Sequence, residues 1–168
     1  MGRPEQNMPT IRRCRDNEHD ALLRIINLAA KKYQGVIPAD RWHEPYMDAD
    51  ELTAEISAGV EFWGAELDAV LVGVMGVQEV LDVDLIRHAY VLPAYQGKGI
   101  GGDLLTELCS QRSRPILVGT WATASWAIDF YKRHGFGVVQ PEETKALLKK
   151  YWTIPDRQIE TSVVLRRK

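Results

Sequence analysis

The chain has 168 residues, of which 45% are hydrophobic and 26% charged, a composition typical of one soluble globular domain. Its formal net charge of −2 argues against a nucleic-acid partner, which requires clustered positive charge. Cys14 and Cys109 are too few and too far apart for a disulfide scaffold or a zinc site with paired ligands. No apolar run approaches the roughly 20 residues of a membrane-spanning helix. We therefore expect a cytoplasmic protein without a metal and without nucleic-acid or membrane partners.

The first part of the chain predicts a strand, a helix, a structured loop and a shorter helix, after a flexible leader or cloning remnant. Apolar residues at helical spacing indicate each helix, with a polar N-cap before it and a glycine after it. The loop is rich in proline and aromatic residues, which suits neither a strand nor a disordered linker. The segments are a leader at 1–8, a strand at 10–15, a helix from Asp16 or Asn17 to Gly35, a loop at 36–47 and a helix from Asp48 to Gly59.

The remainder predicts three consecutive strands followed by alternating helices and strands. The second of the three strands is almost continuously apolar, which indicates burial on both of its faces. This order predicts a mixed α/β sheet with antiparallel and parallel parts, in a single domain over residues 9–168. The segments are strands at 60–67, 69–80 and 82–92, with a tight turn at Asp68, then a helix after residue 102, a strand at 116–120, helices at 124–134 and 142–151, and a strand at 161–166.

A glycine-rich turn joins the third strand to the following helix. Backbone N–H groups at a helix N-terminus have no intrahelical partner, and together with the helix dipole they favour an anion. Glycines let the backbone approach that anion closely, and a lysine adds a positive charge. The turn therefore predicts a phosphate-binding site. It consists of Gln96, Gly97, Lys98, Gly99, Ile100, Gly101 and Gly102.

Three phosphate-binding classes fit this turn less well than the family described next. A Walker A loop cannot be placed on it. Gly97, Gly99 and Gly102 match the dinucleotide fingerprint literally, but the next strand, at 116–120, brings no acidic residue for a ribose. A nicotinamide-dependent reductase therefore stays only as an alternative. A protein kinase is excluded by the length and by its missing lysine and catalytic-loop motifs.

Two sequence blocks carry a resemblance to a known family. Residues 90–101, Tyr-Val-Leu-Pro-Ala-Tyr-Gln-Gly-Lys-Gly-Ile-Gly, closely resemble motif A of the GNAT superfamily, with its Val-x-Pro followed by Gln-x-x-Gly-x-Gly. Residues 127–136, Ala-Ile-Asp-Phe-Tyr-Lys-Arg-His-Gly-Phe, look like the family's later helix, which ends in Phe-Tyr-x-x-x-Gly-Phe. The blocks stand in the family's order with one strand between them, and the order of elements is similar over nearly the whole chain.

The resemblance implies both a fold and an activity. The fold is α/β of the α+β type: a mixed, mostly antiparallel sheet with helices on both faces and splayed strands around an acyl-CoA site. The activity is transfer of the acetyl group of acetyl-CoA, as cosubstrate, to a primary amine of a small molecule or peptide by direct attack on the thioester. A non-catalytic acyl-CoA-binding sensor is the alternative.

The resemblance also assigns residues to the acetyl-CoA site. The turn from Gln96 to Gly102 holds the diphosphate, while Tyr90, Val91 and Leu92 lie along the pantetheine, with the Val91 or Leu92 N–H facing the thioester oxygen. The family often has Asn where this chain has Ala124, so the neighbouring Ser125 is expected to supply the polar contact.

Tyr131 is expected to contact acetyl-CoA and to protonate the leaving thiolate. A phenol with a pKa of about 10 can donate to a thiolate whose conjugate acid has a pKa of about 8.5. The alternative interpretation of Tyr131 is an aromatic core residue of an amphipathic helix.

The base that deprotonates the amine stays open. The positions that often supply it in the family hold Leu85 and Arg87, neither of which is a base. We assign the role of the base to Glu79, with Asp84, His88 or a water chain as alternatives. By strand alternation, Asp84 and His88 lie on the face opposite Arg87 unless a bulge changes the register.

Aromatic residues and one arginine indicate where the acceptor site lies. The loop at 33–46, with Trp121 and Trp126, is expected to wall an aromatic pocket. Arg87 is expected either to bind a carboxylate or to pair with Glu79 or Asp82. The segment 142–159 is long for a connection, so we expect it to cover the acceptor site or to form a homodimer contact.

Overall fold

A computed structural model describes residues 8–168 of the chain. The expected leader therefore lies outside the described residues except for Met8, whose side chain is exposed. Seven strands form one sheet: β1 (Thr10–Arg13), β2 (Glu61–Leu67), β3 (Val70–Val80), β4 (Val83–Val91), β5 (Ile116–Trp121), β6 (Phe136–Val138) and β7 (Ser162–Arg167). The α-helices are α1 (His19–Ala30), α2 (Ala49–Ser57), α3 (Ile100–Ser110), α4 (Ser125–Arg133), α5 (Pro141–Tyr151) and α6 (Asp156–Glu160).

The strands are arranged in the order β1-β2-β3-β4-β5-β7-β6. Every neighbouring pair is antiparallel except β4 and β5, which run parallel. The predicted mixed, mostly antiparallel sheet is thus confirmed. β3 is central and buried from Leu71 to Val77, as its continuous apolar sequence predicts.

Helices cover both faces of the sheet. On one face, a Cβ added at Gly73 would contact Ile100 and Leu104 of α3. On the other face the Gln78 side chain donates to the Ala58 carbonyl at the end of α2, and His19 of α1 contacts Thr53 of α2. A second apolar cluster packs α5 and α6 against the β5 and β7 side of the sheet. Its buried members are Val83, Leu85, Leu117, Val139, Leu148, Tyr151, Ile159 and Val164.

The first helix differs most from its predicted bounds. It begins at His19, after a 3-10 turn, and neither Asp16 nor Asn17 caps it. Instead, Glu18 accepts hydrogen bonds from the Arg15 N–H and from the Arg12 guanidinium, so tertiary contacts fix where the helix starts. The second helix starts as predicted, because the Asp48 carboxylate accepts from the Glu51 N–H at 2.8 Å.

Two short elements were not predicted, β6 and α6. Three residues of β6 are too few to show an alternating pattern, and the strand exists because its backbone pairs with β7. α6 spans five residues within the 142–159 segment. Neither element carries a periodic signal of its own.

Candidate active site

The parallel strands β4 and β5 separate halfway along their length. They pair only where residues 84–86 face residues 116–118. Just beyond, the register between β3 and β4 shifts, so that Met75 alone opposes both His88 and Ala89. His88 adopts a left-handed conformation with φ 53° at this β-bulge. The bulge bends β4 away and leaves a gap between the two strands, as the splay implied by the resemblance requires.

The gap exposes the backbone of one residue. The Leu92 N–H donates to the Val72 carbonyl at 2.8 Å, so it is committed to β3 and does not face the gap. Because hydrogen-bonding directions alternate along a strand, the Val91 N–H and C=O point the other way. The Val91 carbonyl accepts from the Gln96 side chain at 3.0 Å. Two N–H groups, those of Val91 and Leu92, were expected to face a thioester oxygen. Of these two, only the Val91 N–H points into the gap.

The glycine-rich turn opens α3 at the edge of this gap. Gly97 and Gly99 have φ of 76° and 81°, conformations that side chains with a Cβ rarely adopt. The first bond of the helix runs from the Asp103 N–H to the Gly99 carbonyl. The N–H groups of Ile100 and Gly101 therefore precede the hydrogen-bonded ladder, which is the arrangement that binds anions.

The other two glycines of the turn serve a different purpose. A Cβ at Gly102 would lie 2.6 Å from Nε2 of His134, and one at Gly101 would lie 3.4 Å from the Phe130 ring. Both positions face α4 and permit its close approach to α3. Packing excludes a Cβ only at Gly102, unless the His134 ring moves, because 3.4 Å at Gly101 is an ordinary contact distance.

One cavity of about 910 Å³ connects these features. It extends from the turn, through the gap, to a group of aromatic side chains on the α1 and α2 face. The predicted site residues that line it are Tyr90, Val91, Gln96, Gly97, Gly99, Ile100, Gly101, Gly102 and Tyr131. Those that do not line it are Leu92, Lys98, Ser125 and Glu79.

Lys98 and Ser125 lie near the cavity but do not line it. The Lys98 ammonium is 5.6 Å from the centroid of the Tyr95 ring. Ser125 is exposed at the first turn of α4. Its neighbour Thr123 donates to the Val36 carbonyl at 3.1 Å and so ties the loop before α4 to the loop after α1.

Tyr131 lines the cavity and is buried, with 5% of its surface exposed. Its ring packs edge-on against Phe130 and Phe136, at centroid distances of 5.0 and 5.6 Å. Burial, together with the nearby Tyr33 and Cys109, raises the pKa of the Tyr131 phenol. The hydroxyl therefore stays protonated over the neutral range and is available as a hydrogen-bond donor.

The two carboxylates considered as bases lie elsewhere. Glu79, at the end of β3, is 66% exposed and forms ion pairs with Arg112 and Arg114 at 3.4 and 3.7 Å. Asp84 is buried within 3.6 and 3.7 Å of the same two arginines. Neither carboxylate lines the cavity. The structure does not support Glu79 as a catalytic residue, because it sits at the closed end of the strand pair.

The bulge places Arg87 and His88 together, contrary to simple alternation. Both reach Glu55 of α2, His88 at 2.7 Å and Arg87 at 3.5 Å. Arg87 also donates to Gln78 at 2.9 Å and does not pair with Glu79 or Asp82. The sequence did not identify Glu55 as a site residue, since it is one of several acidic residues on the amphipathic helix α2. Burial alone would raise the pKa of Glu55, but His88 and Arg87 lower it below its usual value.

We call the aromatic group at the inner end of the cavity the aromatic chamber: Tyr33, Tyr46, Tyr90, Trp121 and Trp126. The Tyr33 ring lies 6.3 Å from Tyr46, 6.4 Å from Tyr90 and 5.3 Å from Trp126. Burial raises the pKa of Tyr33 to about 12. The phenols are thus neutral, and the predicted aromatic pocket is present.

The 142–159 segment closes one side of the cavity. Trp152 and Ile154 line it, together with Gln158 of α6. Arg157 of α6 also pairs with Asp40 at 2.5 Å, which joins this segment to the loop at 36–47. Whether the segment covers the acceptor site or forms a homodimer contact stays a prediction.

Residues 8–168 contain neither a cluster of metal ligands nor a membrane-spanning helix. No group of three or more His, Cys, Asp or Glu side chains is placed to hold a metal ion. Within the same residues, no helix is both long and apolar enough to cross a membrane.

Comparison with known proteins identifies the domain. Residues 58–138 match the family model of the acetyltransferase (GNAT) domain. The chain contains a GNAT acetyltransferase domain. No curated protein matches the sequence at a significant level. The matched residues include the strands β2 to β6, the glycine-rich turn and Tyr131, and this confirms the predicted family and the acyltransferase class.

Solved structures share the whole fold of this GNAT domain. The PaiA N-acetyltransferase of Thermoplasma acidophilum, in complex with coenzyme A, has a TM-score of 0.72 and 20% identity over 95% of this chain and 98% of its own. A GNAT-family acetyltransferase of Staphylococcus aureus Mu50 has a TM-score of 0.70 and 17% identity over the same shares. The ribosomal-protein-S18-alanine N-acetyltransferase of Escherichia coli has a TM-score of 0.67 and 16% identity over 95% of this chain and 93% of its own.

Proposed function

We propose that this GNAT domain is an acetyl-CoA-dependent N-acetyltransferase that acetylates a primary amine of a small molecule or peptide. The supporting observation is the single cavity that joins the anion-binding end of α3 to the aromatic chamber through the gap between β4 and β5. Its two ends have different chemistry, one suited to a diphosphate and the other to an apolar acceptor.

The residues at the outer end fit acetyl-CoA. The N–H groups of Ile100 and Gly101 precede the hydrogen-bonded ladder of α3, and a Cβ at Gly97 would meet no other atom within 4 Å, which leaves space for a diphosphate. Val91 offers its N–H to the amide groups of the pantetheine, as an adjacent strand would, and its C=O, which already accepts from Gln96, has a second lone pair for the same partner. When bound there, acetyl-CoA supplies the thioester carbonyl that the amine attacks.

Two groups of the chain would act on the reacting atoms. The Val91 N–H would donate to the carbonyl oxygen as negative charge develops on it, a contribution of about 10²–10³ in rate for one such donor. Tyr131, kept protonated by burial, would donate its hydroxyl proton toward the departing sulfur. Val91 and Tyr131 both line the cavity.

The inner end favours an acceptor with an apolar or aromatic body and no additional positive charge. Among the described lining residues, the carboxylates are represented by Asp103 alone, and Asp103 lies on α3 beside the anion site. Lys32 and Arg87 provide positive charge near the chamber. A polyamine would therefore lack acidic partners, whereas Arg87 suits an acceptor that carries a carboxylate.

A thiol-release assay with acetyl-CoA and a panel of amines tests the proposal. We expect aromatic amines and aromatic amino acids or peptide N-termini to be acetylated and polyamines to be poor acceptors. Thermal stabilisation by acetyl-CoA and not by NADH would exclude the reductase alternative. Tight acetyl-CoA binding without acetylation of any amine would overturn the proposal in favour of the acyl-CoA sensor.

A further inference from the structure

A histidine–carboxylate pair lies at the β-bulge, beside the cavity. Nε2 of His88 is 2.7 Å from Oε2 of Glu55. The two side chains are 14% and 25% exposed, so the contact is largely shielded from water. His88 lines the cavity, whereas Glu55 lies behind it on α2. The pair thus has one member facing the cavity and one member in support.

The hydrogen bond fixes which nitrogen of the neutral His88 ring carries the proton and which is left as an acceptor. An ionised carboxylate only accepts hydrogen bonds, so Nε2 of the neutral ring must carry the proton and donate it to Glu55. The hydrogen bonds of residues 8–168 then leave Nδ1 of His88 without a partner. A carboxylate that fixes the histidine tautomer in this way is a recurring arrangement around reactive imidazoles.

The backbone of His88 is held in an unfavourable conformation. Its φ of 53° lies in the left-handed region, which costs energy for a residue with a Cβ. The ring is kept in place by Glu55 and by stacking on the buried Phe62, at a centroid distance of 5.9 Å. A strained residue whose side chain is fixed from two sides and faces a cavity fits a functional role better than a packing role.

The position of His88 suits a group that acts on the acceptor nitrogen. His88 precedes Val91, the residue beside the thioester site, by three positions on the same strand, a distance of roughly 10 Å. That span separates backbone atoms, so the proposal requires the His88 ring and the acceptor amine to extend into it from opposite ends until they are within hydrogen-bond reach, directly or through one water. The other histidine lining the cavity, His134, instead contacts the Phe130 carbonyl and packs beside Gly102, at the anion site.

We propose that Glu55 and His88 form the base of the acetyl transfer, with Nδ1 of His88 taking the proton and Glu55 positioning the ring. This inference rests on the proposed function and supplies the base that the sequence left open. Nδ1 accepts one proton from the acceptor ammonium, directly or through one water. The neutral nitrogen then bonds to the thioester carbonyl carbon, and the C–S bond breaks with its electron pair going to sulfur.

The proton balance closes with Tyr131. Its hydroxyl gives a proton to the sulfur and regains one from the acylated nitrogen, and His88 later releases its proton to solvent. The charged groups around His88 are Glu55 from α2 and Arg87 from its own strand, while Phe62 from β2 and Gln78 from β3 are neutral. Glu55 stabilises the imidazolium that forms, and Arg87 opposes its persistence.

Replacement of His88 by Asn or Gly tests the catalytic role, because both residues tolerate the left-handed conformation. We expect kcat/KM to fall about 100-fold or more, with the acetyl-CoA Kd unchanged within about twofold. Added imidazole should restore part of the activity of His88→Gly. His19→Asn is the matched control, since His19 also contacts α2, at Thr53, but lies outside the cavity. Retention of more than about a third of wild-type kcat/KM in both His88 variants would overturn the proposal.

Replacement of Glu55 by Gln tests the positioning role. Loss of the carboxylate removes the acceptor that fixes the Nε2–H tautomer and the ring orientation, so kcat/KM should fall about 10- to 100-fold while the acetyl-CoA Kd stays unchanged. A purely structural Glu55 predicts altered stability with an unchanged kcat/KM of the folded protein, and that outcome would remove Glu55 from the proposal.

Nitrogen NMR of the free protein gives a readout that does not require activity. At a pH where the ring is neutral, the proposal requires a proton on Nε2 of His88 and none on Nδ1. The opposite tautomer would contradict the proposal even in an active enzyme. If the wild type acetylates no amine but shows the expected tautomer, the proposed function fails while the geometry of the pair stands, so the two failures are distinguishable.

Discussion

The two ends of β4 hold similar chemical groups and use them differently. At the first end, Asp84 and the neighbouring Glu79 are held by Arg112 and Arg114 where β4 still pairs with β5. At the second end, past the bulge, Glu55 binds His88 beside an open cavity. The first cluster joins strand ends together, whereas the second faces the space where a substrate fits.

Backbone pairing explains this difference. Where β4 and β5 are hydrogen-bonded, no room exists between them and charged groups serve as links between segments. Where the bulge interrupts the register, the strands diverge and a polar side chain gains access to a ligand. Chemical type alone therefore does not reveal which acidic or basic group is functional.

Replacement of Tyr131 by Phe is expected to give the largest effect at the open end. The ring and its packing against Phe130 and Phe136 stay, but the donor to the departing sulfur is lost, so kcat should fall about 10²–10⁴-fold while the acetyl-CoA Kd barely changes. Tyr151→Phe is the matched control: Tyr151 donates to Asp82 outside the cavity, so its loss should leave kcat unchanged. Retention of more than about a third of wild-type kcat in Tyr131→Phe would make Tyr131 a core residue only.

Replacement of Asp84 by Asn probes the closed end and should act on stability. Asp84 is 1% exposed between two arginines, so losing its charge leaves their guanidinium groups underneutralised and should lower the free energy of unfolding by about 2 kcal/mol. Urea denaturation measures this change. The folded fraction should keep its kcat, and a drop of tenfold or more would mean that the two ends are functionally coupled.

A substitution at Gly99 tests the anion site. Gly99 is the N-cap of α3 with φ 81°, so Gly99→Val should both strain the turn and fill the space of the diphosphate, raising the acetyl-CoA Kd at least tenfold, or about 1.4 kcal/mol. Gly59→Val controls for strain, because Gly59 also has a left-handed φ but lies away from the cavity. Equal acetyl-CoA affinity in calorimetry for both variants would show that the turn does not bind the diphosphate.

Glu79→Gln should have the smallest effect of these changes. The side chain is mostly exposed, and Arg112 and Arg114 keep Asp84 as a partner, so the free energy of unfolding should change by no more than about 0.5 kcal/mol. We expect kcat and its pH profile to match the wild type. A loss of activity comparable to that of the His88 variants would return Glu79 to the mechanism and contradict the contrast between the two ends of β4.

Local patterns in the sequence were sufficient for much of the architecture. Alternating and continuous apolar runs predicted β2, β3 and β4, the Asp48 cap located α2, and the glycines before α3 predicted an anion site. These features depend on residues within a few positions of one another in the chain, so they can be predicted without knowing the tertiary structure. The resemblance to the GNAT family added the splay of β4 and the position of Tyr131.

The placement of the base depended on tertiary structure. Residues 55 and 88 are distant in the chain, and only the packing of α2 on the sheet brings them to 2.7 Å. The bulge at His88 also reverses the facing of the residues after it, which no alternation rule anticipates. Likewise, the sequence did not predict that Glu79 and Asp84 form ion pairs with arginines, because those contacts join separate segments of the chain. The sequence by itself determined the elements and the anion-binding turn, while long-range packing decided which ionisable groups face the cavity.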